Sequence, residues 1–212
     1  MRFTEDSFPQ ICLQSLISIS NISIQDIIMK ELSLNILDVA KNSVKAGATL
    51  IKISLETDES GILTLTISDN GCGMSEEVLL GVTDPFFTTR TTRKVGMGLP
   101  LLKMAAEQTG GALRITSSTK EGESGTSLVA TFDTRSIDCM PLGDIVSTVC
   151  ILISGSPEID FDFLDKRTNG EVSLQTAALR EVLGPEISLA EPEIQQWIEG
   201  NLTEQYEELK NI

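Results

Sequence analysis

The chain has 212 residues, a formal net charge of −15 and no histidine, enough for one full-sized domain and a smaller second one. No apolar run reaches the roughly 18 residues that a membrane-spanning helix needs, and the missing imidazole removes the commonest metal ligand, general base and phospho-acceptor ring. The four cysteines, Cys12, Cys72, Cys139 and Cys150, contain no C-x-x-C pair, so neither a zinc site nor a disulfide framework is expected, and a reducing, cytoplasmic setting fits them.

Residues 1–28 are rich in Ser and Ile without a sustained period, and Arg2 precedes two acids, the wrong flank for a secretory signal. They read as an N-terminal extension ahead of a natural start at Met29. From Lys30 to Lys45 the apolar residues Leu32, Leu34, Ile36, Leu37, Val39, Ala40 and Val44 predict a helix, which Gly47 in "KAGAT" stops. "LIKISLE" and "GILTLTISD" alternate as two strands around a Glu-Ser-Gly turn. Helical signals return at Ser75 to Leu80 and at Leu99 to Gln108, where Pro100 suits a first turn and Gly110-Gly111 an end. "ALRITSST" and "TSLVATFD" then predict a second hairpin. This succession predicts a two-layer α/β (α+β) sandwich, a mixed sheet with helices on one face, over residues 29–137.

Residues 138–212 read as a separate, small acidic α+β unit. "PLGDIVSTVCILIS" looks helical, "EIDFDFLD" and "GEVSLQ" pair across Asn169-Gly170, and "TAALREVLG" and "EPEIQQWIEGNLTEQYEELK" look helical. Charge supports the division: residues 29–137 sum to −2 and residues 138–212 to −11. That excess repels nucleic-acid phosphates, so neither nucleic acid nor membrane is expected as a partner. A solvated surface kept for solubility accounts for it.

Four features stand in order. "DVAKN" sets Asp38 and Asn42 four residues apart, on one helix face. "DNGCG" puts Asp69, Gly71 and Gly73 at a strand end, "VGMGL" puts Gly96 and Gly98 at the start of a helix, and "SGT" opens the last strand with Gly125 and Thr126. Each alone reads equally well as a solvent face or a turn. In this order the chain resembles, over residues 30–133, the GHKL superfamily of ATP-binding domains, with the Bergerat fold shared by histidine kinases, anti-sigma serine kinases, gyrase-type topoisomerases, mismatch-repair ATPases and heat-shock chaperones. "DPFFTTR" followed by "GMGLPLLKMAAEQTGG" looks most like the lid and following helix of histidine kinases.

The resemblance implies ATP and Mg²⁺ as ligands. A carboxylate at Asp69 accepts a hydrogen bond from the adenine amino group, where guanine carries a carbonyl. Gly71 and Gly73 would let the ring lie against bare backbone, with Thr126 assisting by family similarity and Met74 either packing on the purine or filling the core. Gly96 and Gly98, ahead of the helix at Leu99, would offer backbone N–H groups to the polyphosphate. Arg90, Arg93 and Lys94, the sole basic cluster, lie in a loop from Thr83 to Val95 that corresponds to a mobile lid; three basic residues on a surface loop also need no ligand. Asn42 would supply an oxygen to magnesium, and Asp38 would orient or deprotonate an attacking hydroxyl or water. Glu31 and Asn35 have the same spacing; "NSVKAGAT", similar to the mismatch-repair "NSxxAGAT", favours Asp38 and Asn42. Cys72 is expected to fill space.

Autophosphorylation on histidine is excluded without a partner to supply one. The acid at Asp38, which anti-sigma serine kinases share, favours Ser/Thr phosphotransfer to a partner protein, or hydrolysis. The alternative is an ATP-driven switch that changes partner or homodimer state, or a nucleotide sensor with little turnover.

Overall fold

Alternation builds the sheet. In Leu50–Thr57 (β1), Ile51, Ile53 and Leu55 are buried while Lys52 and Glu56 are exposed, the period of a strand covered on one face. The same pattern recurs in Ile62–Asp69 (β2), Leu113–Ser118 (β3), Gly125–Asp133 (β4), Asp160–Arg167 (β5) and Gly170–Gln175 (β6). The computed structural model describes residues 31–83 and 98–210, so the expected extension at 1–28 lies outside the described residues.

The strands form one sheet in the order β3-β4-β2-β1-β5-β6, antiparallel except for the β1–β5 pair. Its register sets Ile115, Leu128, Ile67, Ile53, Phe163 and Leu174 in a single row across all six strands. All but the partly buried Ile115 are buried, and fully burying such a side chain contributes about 1.5–3 kcal/mol. On this face pack Leu32–Lys45 (α1), Gly98–Gln108 (α3), Ile145–Gly155 (α4) and Pro192–Lys210 (α6), with the shorter Glu76–Gly81 (α2) and Thr176–Leu183 (α5) at the periphery. The mixed-sheet α/β sandwich expected from the sequence is thus observed. No described helix is long and apolar enough to cross a membrane.

The boundary suggested after residue 137 is not a break in the sheet. β5 lies directly beside β1, with Ile53 opposite Phe163, and Val149, Ile153, Phe161, Ile198 and Leu202 belong to the same core cluster as Ile36 and Leu65. The charge shift misled because the acids of this segment, Glu181, Glu186, Glu193, Glu199 and Glu204 among them, are exposed. They mark an outer surface rather than a second core.

Polar groups fix the segment's ends. Asp144 caps α4 by accepting from Ser147 N at 2.9 Å, worth about 1 kcal/mol, and that bond holds its carboxyl below the usual range. Gln205 of α6 accepts from Ser173 N at 2.9 Å and donates to Ser173 O at 3.2 Å, covering the open edge of β6. Buried Asp165 takes two bonds from Arg167, at 3.2 and 2.8 Å, and one from Tyr206 Oη at 2.8 Å, so its charge is paired. Burial, then the Asp165 charge, pushes the Tyr206 phenol well above its ordinary value.

Candidate functional site

α1 begins without a side-chain cap. Its first amides are satisfied by the chain itself: Leu32 N donates to Pro141 O at 3.0 Å and Ser33 N to Leu142 O at 2.9 Å. Buried Leu32, Ile36, Val39 and Ala40 face the sheet. One flank is left for Asp38, Asn42 and Lys45, at i, i+4 and i+7. These three line a cavity of about 370 Å³ between α1 and the sheet end, a size typical of small-ligand sites.

Two rows of the sheet make the rest of its wall. Ile67, Leu128 and Ile115, neighbours on β2, β4 and β3, give an apolar floor. One row further, Asp69 lies opposite Thr126, and Thr126 opposite Ser117; of these Asp69 and Thr126 line the cavity. Gly73, Met74, Val78 and Val82 bound one side, Gly98 and Leu99 another. The cavity therefore has an apolar slot, a polar row along one end, and an acid and an amide on the helix above.

The Asp69 carboxylate is held at both oxygens. Ser43 Oγ donates to Oδ2 at 2.6 Å and Gly71 N donates to Oδ1 at 2.9 Å. With each oxygen retaining a lone pair, the group presents only acceptors. Asn70 fixes the turn from below, its Oδ1 accepting from Thr49 N at 2.8 Å and Leu50 N at 2.9 Å.

Two glycines on the wall are there because no Cβ fits. Gly73 has φ +72, and a Cβ would fall 1.9 Å from Ser118 O. At Gly98, the first residue of α3, a Cβ would fall 1.9 Å from Asp38 Oδ2. The Asp38 carboxylate thus abuts a helix N-terminus, where backbone donors collect.

Of the residues singled out from the sequence, Asp38, Asn42, Asp69, Gly73, Met74, Gly98, Leu99 and Thr126 meet at this one cavity. Arg90, Arg93, Lys94 and Gly96, with the lid from residue 84 onward, lie outside the described residues. Gly71 is not among the residues that line the cavity; it is buried, and a Cβ there would meet Ala46 Cβ at 2.9 Å. Cys72 is a correction, since it is exposed rather than filling. The competing Glu31 and Asn35 pair is absent from the cavity lining: Asn35 is buried, its Nδ2 donating to Glu31 O at 3.3 Å and to Met140 Sδ at 3.5 Å. Ser43 and Lys45 were missed, although continuing the step from Asp38 to Asn42 down the helix would have reached Lys45.

Residues 27–136 match the family model described as histidine kinase-, DNA gyrase B-, and HSP90-like ATPase. The C4-dicarboxylate transport sensor protein DctB of Pseudomonas aeruginosa is 39% identical over 72 residues, 34% of this chain and 12% of that protein. The sensor histidine kinase ZraS of Salmonella typhimurium is 32% identical over 84 residues, 39% of this chain and 18% of that protein. The matched stretch thus spans less than a fifth of either relative. Among solved structures, the mycobacterial sensor histidine kinase MprB is 26% identical, with a TM-score of 0.39 over 46% of this chain and 68% of that one.

Proposed function

Because the chain belongs to the histidine kinase-, DNA gyrase B-, and HSP90-like ATPase family, we propose that its cavity binds ATP with magnesium and that Asp38 serves phosphotransfer to a serine or threonine hydroxyl of a partner protein. The observation that carries the reading is the placement of two acids at one cavity in different settings. Asp69 is locked at the sheet end by Ser43 and Gly71, which suits recognition of an amino group. Asp38 lies five residues before Ser43 on α1, about 7.5 Å of helix rise away, against the first residue of α3.

The donor set fits the ligands. The apolar floor and Met74 suit a purine, and the start of α3 suits phosphate oxygens. Asn42 offers the hard oxygen magnesium prefers, and Lys45 adds a cation at the same wall. Among the described residues no group of three His, Cys, Asp or Glu side chains could hold a metal, so such an ion would draw its remaining ligands from phosphate and water. In the proposed reaction Asp38 takes the proton of the acceptor hydroxyl as that oxygen bonds to the γ-phosphorus and ADP leaves. The sequence contains no histidine to accept a phosphoryl group itself.

A second reading, an ATP-driven switch acting on a partner or on a homodimer, is favoured by one observation. The first turn of α1 is hydrogen-bonded to Pro141 and Leu142, at the start of the C-terminal segment. Incubation with γ-labelled ATP, magnesium and co-purifying proteins separates the two. Transfer predicts label on serine or threonine that Asp38→Asn reduces by about 100-fold or more, with ATP affinity within about threefold of wild type. Label unaffected by Asp38→Asn refutes the assigned role, and an ATP-dependent change in size without label selects the switch.

A further inference from the structure

We propose that Ser117, which is outside the cavity wall, sets the base selectivity of the cavity by fixing the proton of Thr126; this rests on the nucleotide reading above. The inference comes from counting hydrogens. Ser117 Oγ carries one proton and two lone pairs. Three groups lie within hydrogen-bond distance of it: Met74 N at 2.8 Å, Gly125 O at 2.9 Å and Thr126 Oγ1 at 2.9 Å.

Met74 N can only donate and Gly125 O can only accept. The amide therefore occupies one lone pair of Ser117, and its single proton goes to Gly125 O. What remains for Thr126 is the second lone pair, so Thr126 is the donor of that pair. Its own proton is then committed away from the cavity, and toward the cavity Oγ1 presents lone pairs alone. The assignment is the one that satisfies all three contacts together.

Asp69 stands directly opposite Thr126 in the β2–β4 register, and it too offers only acceptors, since Ser43 and Gly71 supply the donors. Two neighbouring acceptors that cannot turn a proton inward select a ring edge bearing an amino group. A ring with a carbonyl at that position meets lone pair against lone pair, which a hydroxyl free to rotate would relieve. Ser117 removes that freedom. It also ties Met74 of the cavity wall to the same oxygen, so wall and proton are fixed by one side chain. Ser117 is therefore a positioning residue, acting through Thr126 rather than touching the ligand.

The test compares ATP with ITP, whose hypoxanthine ring replaces the amino group by a carbonyl and carries a proton on N1. Calorimetric affinities are measured on the full chain with magnesium. Wild type binds ATP at least about 100-fold more tightly than ITP. Ser117→Ala frees the Thr126 hydroxyl and narrows that ratio by about tenfold, chiefly by improving ITP, and Ser117→Thr restores it. An unchanged ratio in Ser117→Ala overturns the proposal. Thr126→Val checks it without altering Ser117: ATP affinity falls about tenfold and ITP affinity holds or rises, whereas an equal loss for both overturns it. A wild type that binds neither nucleotide refutes the ATP reading itself, a result distinct from selective binding that ignores Ser117.

Discussion

Asp69→Asn replaces one carboxylate oxygen by NH₂ with almost no change of shape, and its neighbours decide which oxygen is lost. Gly71 N, 2.9 Å from Oδ1, can only donate, so the amide oxygen must remain there. Ser43 Oγ, 2.6 Å from Oδ2, can donate or accept, so the new NH₂ takes that side and the hydroxyl turns round. Both internal bonds survive without charge assistance, a loss of about 1 kcal/mol, or about 2–4 °C of melting temperature for a chain of this size. The cavity changes more. An N–H now points where a lone pair was, so a purine amino group meets a donor. Forfeiting a charge-assisted bond costs about 1.5–3 kcal/mol, a fall in ATP affinity of about 10- to 150-fold, while ITP gains a donor for its carbonyl. Calorimetry with both nucleotides and a thermal melt read these effects. ATP affinity within about threefold of wild type refutes Asp69 as the base-reading group, and parallel loss of both nucleotides with a melt lowered by more than about 5 °C refutes the retained-bond geometry.

Gly73→Ala and Gly47→Ala form a matched pair, since both positions have φ near +73 but only Gly73 is crowded, by Ser118 O. Gly47→Ala should cost about 1 kcal/mol of left-handed strain. Gly73→Ala should cost about 3 kcal/mol or more, because a backbone atom must move, and it should abolish nucleotide binding; equal denaturation midpoints for the two variants would refute the close approach. Tyr206, the sole tyrosine, tests the buried network. Its phenol is raised in the fold, so the associated stability is complete below the unfolded value near pH 10 and is lost as pH rises above it. Tyrosinate absorbance should therefore appear only on unfolding. Tyr206→Phe should lose about 1–2 kcal/mol at neutral pH and show a shallower alkaline decline, and free ionisation of the folded protein near pH 10 would contradict that burial.

Local pattern was enough to read the elements, because period and turn chemistry act over a few residues. "EIDFDFLD" announces a strand with its phenylalanines inward, and Phe161 and Phe163 are buried. What pairs with that strand is a long-range fact. β5 joins β1 more than a hundred residues back in the chain, and nothing in "LIKISLE" states a preference for it, while the charge of the following helices argued for a separate body. The candidate site divides in the same way. Asp38 and Asn42 were legible from helix spacing and Asp69 from its place at a strand end. For Gly71 the sequence was ambiguous, because a glycine crowded by Ala46 has the same one-letter signature as one crowded by a ligand. Ser117 was invisible because its importance arises from the β3–β4 register that brings it to Thr126.

That register matters because α1 is held from two directions. Its end is tied to the turn that follows β2, through Ser43 to Asp69 and through Cys72 N to Ala46 O at 2.9 Å. Its start is tied to Pro141 and Leu142, and Glu31 packs so closely on Gly143 that a Cβ there would overlap its carboxylate. Asp38 and Asn42 lie between these two attachments. A shift of the helix along its axis that improved their reach toward a phosphate would therefore have to stretch bonds at one end or the other. The linker at 138–144 leads directly into α4 and then β5, so any such shift is opposed by, or passed to, the C-terminal segment. The segment's place in the sheet makes it part of the frame that positions Asp38, whichever of the two proposed modes the protein uses.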